Sequence, residues 1–154
     1  MKVEKETIWN YVLLLLRIWL GYRMFTASYS SVTGILFSPE ERLFFTKWFG
    51  MELHFPFPLV MAFLAKGSEL LGAIFVFFGL FTRQAASLIS FTMLIATITA
   101  NLGENWNIDG GFTVSYLLFA VVLIIWGGGK FSLDYLFFKK PFLKISRAKA
   151  FYKV

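Results

Sequence analysis

Four ionisable residues sit inside apolar runs of this 154-residue chain: Arg17, Arg23, Lys66 and Glu69. A charge at the centre of a bilayer costs about 2.5–3.5 kcal/mol even on the mildest scales, so such residues pair, face a polar interior, or serve a ligand. Glu69 lies in "AFLAKGSELLGAIFVFFGLF", residues 62–81. At about 100° per residue, Ala62, Ala65, Lys66, Gly72, Ala73 and Val76 fall within about 60° of it. Val60, Phe63, Leu71, Ile74 and Phe78 take the opposite face. Small residues mark helix contacts in membranes and bulky ones suit lipid, so Lys66 and Glu69 are expected to face inward. On the first apolar segment Arg17, Gly21, Met24 and Ser28 share a face. Counted from the outer ends of their segments, Arg17 lies about 18 Å deep and Glu69 about 16 Å. The matching depths predict a buried Arg17–Glu69 ion pair, with Lys66 as a third member. Removing one partner of such a pair costs about 3–5 kcal/mol. Two readings of the pair stay open: it fixes helix register, or it organises a functional site.

The four charges sum to +2, and the surplus falls at Arg23 and Lys66, assigned here to the outer half. Ser90, Thr97 and Asn101 form a polar stripe that continues to Glu104, with Trp106 and Asp109 in the adjoining loop. Together they predict an outward-opening pocket, positive at depth and acidic at its rim. Lys66, Arg23 and Asn101 would offer donors to a carbonyl-bearing or anionic head group, and aromatic walls would hold a lipid-like tail. The plainer alternatives are that Arg23 snorkels to the outer interface and that Asn101 caps a helix end.

Other chemistry is excluded or unsupported. With no cysteine the chain has no disulfide, CxxC redox pair, iron–sulfur cluster or thiolate metal site of its own. A single histidine, His54, rules out bis-imidazole haem ligation within one chain. "WGGGKFS", residues 126–132, lacks phosphate-loop spacing; its glycines are expected to end a helix, with Ser132 capping the next segment. No Ser–His–acid constellation is present. The expectation is no catalytic residue, no metal and no covalently bound cofactor.

The elements that must position these residues follow from composition. The chain is 58% hydrophobic and 20% aromatic, with a mean hydropathy of +0.68, more than a soluble domain of this length can bury. Four segments approach the roughly 20 apolar residues of a membrane span: 8–29, 58–80, 85–102 and 112–126. The first has Arg17 within it and no A-x-A-like cleavage site, so it is expected to be retained. Short connections between the later spans predict an antiparallel up-down bundle in one domain, 1–154. Lys2, Lys5, Arg83 and seven basic residues from Lys130 onward fall on one side, against Arg42 and Lys47 on the other. That asymmetry predicts that both termini face the cytoplasm. In the long outer connection, 30–57, "SPEE" has the form of a capping box, and Phe44, Phe45 and Trp48 predict an interfacial helix. The net charge of +6 is concentrated in the C-terminal segment, which suits anionic lipid rather than nucleic acid.

This layout resembles the DoxX/DoxD-like family of small bacterial membrane proteins. The resemblance rests on "LRIWLGYRMFTASYSSVTG", "KGSELLGAIFVFFGLFTRQAA" and "GGGKFSLDYLF". Its most telling pieces are Glu69, Leu70, Gly72, Gly79, Leu80, Thr82–Arg83 and Ser132–Leu133–Asp134. The family takes its name from small membrane subunits of a thiosulfate:quinone oxidoreductase. The resemblance therefore implies quinone-linked electron transfer in company with a redox partner subunit, and leaves room for a homo-oligomer. Some relatives serve in redox-homeostasis complexes or assembly, so a non-catalytic scaffold that recruits a partner is the alternative. Glu69 matches the family's second-span acid; Arg17 and Lys66 enter on helical geometry alone.

Overall fold

The computed structural model describes residues 2–101 and 108–138. Its regular structure is entirely helical: α1 (Lys2–Phe37), α2 (Pro39–Lys47), a π-helical turn (Trp48–Glu52), α3 (Pro58–Phe78), α4 (Thr82–Asn101), α5 (Ile108–Trp126) and α6 (Leu133–Phe138). The long helices α1, α3, α4 and α5 pack in a closed order, α1 on α3, α3 on α4, α4 on α5, and α5 back on α1. Each neighbour runs antiparallel. Ser28 meets Glu69 while Gly21 meets Phe77. Thr97 meets Thr113 while Arg83 meets Ile125. Trp9 meets Trp126 edge to face while Trp19 packs against Tyr116 at a tilt. The result is an up-down four-helix bundle.

Periodicity decides which faces pack. Leu13, Leu20, Met24, Val76, Ala86, Ile89, Met93, Ala120 and Leu123 fill the centre. On α3 the face holding Glu69 is buried, at Ala62, Gly72, Ala73 and Val76, whereas Val60, Phe63, Leu71 and Phe78 point outward. Gly21 allows α1 and α3 to come together: a Cβ there would lie 2.9 Å from the Phe77 backbone. The outer surface carries exposed Leu15, Trp19, Tyr22, Leu88, Phe91, Leu118 and Ile125. That is an apolar exterior around an apolar core. Among the described residues, Pro58–Phe78 is long and apolar enough to cross a membrane, and Phe112–Trp126 is a shorter apolar run.

The first helix departs from expectation. It does not stop near residue 29 but continues to Phe37, because nothing in "SSVTGILF" breaks it. Ser31 and Thr33 donate back to the carbonyls of Ala27 and Tyr29, which lets hydroxyl side chains sit inside a helix. Ser38 then accepts from the Glu41 amide, with Pro39 behind it, and starts α2. Arg42 reaches back and donates to the Ile35 and Leu36 carbonyls, satisfying the exposed end of α1. The expected apolar face of α2 is also corrected. Phe45 and Phe49 turn inward onto Ile35 and Ala62, while Phe44 is exposed. A π-helical turn shifts side-chain phase relative to 3.6-residue winding, which brings Phe49 into the cluster with Ile35 and Ala62.

Candidate functional site

Two polar clusters are separated along α1, one at the level of Ser28 and the other at Arg17. In the first, Glu69 is 4% exposed and its Oε2 accepts from Lys66 Nζ at 2.9 Å and from Ser28 Oγ at 3.2 Å. Lys66 and Glu69 are three residues apart, so one helix turn supplies the ion pair, and Ser28 ties it to α1. The pair forms one corner of a cavity of about 490 Å³ between α3 and α4, roofed by the π-helical turn. Trp48, Phe49, Phe55, Met61, Phe91 and Ile95 supply its apolar walls. Ser68 and Thr92 also line it, but their hydroxyls donate to the Ala65 and Ile89 carbonyls of their own helices. Leu64, Leu88 and Phe91 belong to the lining and are exposed on the flank, so the cavity communicates with whatever surrounds the bundle. A second hollow of about 320 Å³ on the α1–α3 flank holds no charged group.

The second cluster holds Arg17, which does not pair with Glu69. Its Nη1 donates to the Gly128 carbonyl at 2.9 Å and its Nη2 to the Phe131 carbonyl at 3.2 Å. Among the described residues its buried Nε has no hydrogen-bond partner, and Asp134 attracts the guanidinium electrostatically. The physical reason is register. With α1 running to Phe37, Arg17 stands about 30 Å from the outer end of its helix, whereas Glu69 is about 16 Å from the start of α3. The residue of α1 level with Glu69 is Ser28. Arg17 instead lies beside Gly79, where any Cβ would collide with the guanidinium and where φ is +70°. Gly128 is similarly confined, a Cβ there falling 2.6 Å from Thr82 Oγ1.

Asp134 completes this cluster. Its Oδ1 accepts from the Phe81 amide at 2.6 Å, and its Oδ2 from the Thr82 amide and hydroxyl at 2.8 and 2.7 Å. A residue of α6 thereby caps the N-terminus of α4. Ser132 Oγ accepts from the Tyr135 amide and starts α6 as expected. Asn10 accepts from the Lys130 amide and Arg83 donates to the Ile125 carbonyl, so α1, α4, α5 and α6 converge here.

The remaining candidates separate. Lys66 lines the cavity. Arg23 is exposed on α1, between the levels of Gly21 and Ser28, and is not among the residues lining the cavity. Thr97 donates to the Met93 carbonyl and approaches Thr113 at 3.4 Å, joining α4 to α5 instead of facing the cavity. The side chain of Asn101, together with Glu104 and Trp106, lies outside the described residues, as does that of Asp109. Sequence reasoning missed Asp134 as a cap and Ser28 as the Glu69 partner, although both stood in segments it had singled out. It also missed Phe49, Phe55 and Phe91 as cavity walls, which belong to three separate elements and share no local pattern.

The DoxX family model matches residues 12–102, more than half of the chain. This protein is a member of the DoxX family. It is 32% identical over 114 residues to a Bacillus subtilis (strain 168) protein named "Putative oxidoreductase CatD", a match covering 70% of this chain and 83% of the relative. It is 29% identical over 132 residues to a Haemophilus influenzae protein that carries no functional name, covering 79% of this chain and 80% of the relative. No solved structure matches. The DoxX match takes in α3 and the Lys66–Glu69 pair but ends before Asp134.

Proposed function

We propose that this DoxX protein spans a bacterial inner membrane with all four long helices. In this reading it binds a quinone-like or anionic molecule in the outer-half cavity and serves a quinone-linked oxidoreductase complex as a subunit that does not act alone. The carrying observation is the 490 Å³ apolar cavity with one charged corner, Lys66 beside Glu69, near the middle of α3. Aromatic walls favour a flat conjugated ring, and the Lys66 ammonium can donate to a carbonyl. Exposure of Leu64, Leu88 and Phe91 on the flank supports entry from lipid rather than from water. The apolar exterior supports four spans, and the ten-to-two distribution of flanking basic residues supports cytoplasmic termini. The relative's oxidoreductase name fits this role. With neither cysteine nor a histidine pair, the chain itself offers no evident electron carrier, so redox chemistry would fall to the ligand and a partner subunit.

The test is mass spectrometry of lipids extracted from gently purified protein, comparing wild type with Lys66→Ala. Near-stoichiometric quinone in wild type, lost from a Lys66→Ala variant of unchanged size-exclusion profile, is the expected result. Quinone at background level in wild type, with a co-purifying partner protein, would favour the scaffold instead.

A further inference from the structure

Glu69 uses only part of its hydrogen-bonding capacity. An ionised carboxylate accepts and never donates, and both bonds it receives, from Lys66 and Ser28, fall on Oε2. Among the described residues Oε1 receives none, and Glu69 lines the cavity. Lys66 spends one of its three protons on Glu69, leaves two available, and also lines the cavity. The charged corner therefore presents a cationic donor and an anionic acceptor side by side, with no net charge between them.

From this pairing we infer that the site recognises an aromatic hydroxyl, the reduced hydroquinone form of a lipid-soluble ring, in preference to the oxidised quinone or a free anion. The inference rests on the cavity being the binding site. A phenolic O–H both donates and accepts, so one oxygen can give its proton to Glu69 Oε1 and take a hydrogen bond from Lys66 Nζ. A quinone carbonyl only accepts. It satisfies Lys66 but sets its oxygen lone pairs against Oε1, leaving the carboxylate unmatched in an apolar wall. A free anion is attracted by Lys66 but repelled by the adjacent Glu69 carboxylate, to which it has no proton to give. Ser68 and Thr92 do not remedy either mismatch, because their protons are committed to backbone carbonyls. The aromatic walls accept either oxidation state, so discrimination falls on the polar corner.

The experiment titrates wild-type protein in lipid nanodiscs with three ligands that share one decyl-substituted ring: the hydroquinone, the quinone and the hydroquinone dimethyl ether, the first kept under reducing conditions. The expected result is hydroquinone binding about 10- to 100-fold tighter than either of the others, the range of one hydrogen bond to a charged group. Glu69→Gln is expected to lessen or reverse this order, since its carboxamide N–H can donate to a carbonyl. Wild-type binding of quinone as tight as hydroquinone, or of the ether as tight as either, overturns the inference while leaving the cavity as the binding site. Binding of none of the three overturns both. The wild-type series decides the matter even where Glu69→Gln does not fold.

Discussion

At the scale of single residues, two buried charges have different kinds of partner. Glu69 is held by side chains, Lys66 and Ser28, and the i, i+3 spacing of Lys66 and Glu69 was legible in the sequence. Arg17 is held mainly by the carbonyls of Gly128 and Phe131, which every residue type possesses and which therefore leave no sequence signal. The available clue was the run of glycines beside it, needed because neither Gly79 nor Gly128 has room for a Cβ. Arg17→Met is expected to destabilise the protein by about 3 kcal/mol, the loss of two hydrogen bonds from a charged donor, read as a lower midpoint in detergent unfolding. Arg17→Lys should not restore stability, because an ammonium lacks the planar fork that spans both carbonyls. Asp134→Ala removes the cap of α4 and should cost about 1–2 kcal/mol by the same measurement. Ser28→Ala, which leaves the Lys66–Glu69 pair in place, should cost about 0.5–2 kcal/mol.

At the scale of elements, what was read correctly depended on periodicity and what was missed depended on length. The buried face of α3 followed from its small residues at helical spacing, and four long helices followed from apolar runs. The Arg17–Glu69 pairing failed because depth was counted from residue 29, whereas α1 continues to Phe37. A continuous helix through polar serines and threonines leaves no stop signal until Ser38–Pro39. The path of the π-helical turn was equally illegible, since it depends on Phe45 and Phe49 finding Ile35 and Ala62 across space. The close approach of α1 and α3 gives an element-level prediction. Gly21→Leu must push against the Phe77 backbone, and should cost about 1–3 kcal/mol, seen as earlier thermal aggregation of the detergent-solubilised protein.

At the scale of the whole molecule, a polar latch closes one end of the bundle and a ligand-sized cavity opens near the other. The latch joins α1, α4, α5 and α6 through Arg17, Asp134, Asn10 and Arg83, while the cavity's charged corner stands on α3 and is tied to α1 through Ser28. The latch and the proposed binding corner use different residues, so loss of Lys66 should affect ligand occupancy more than folding. Orientation is a separate matter: a C-terminal reporter fusion is expected to be active only in the form that reads a cytoplasmic location. The most direct measurement of the central claim is photo-crosslinking in native membranes with a quinone analogue bearing a photoreactive group on its ring, followed by peptide mapping. Labelling concentrated at residues 61–69 and 88–96, and competed away by excess unmodified quinone, is the predicted result. Labelling that falls elsewhere, or that excess quinone leaves unchanged, would contradict a quinone site at Lys66 and Glu69.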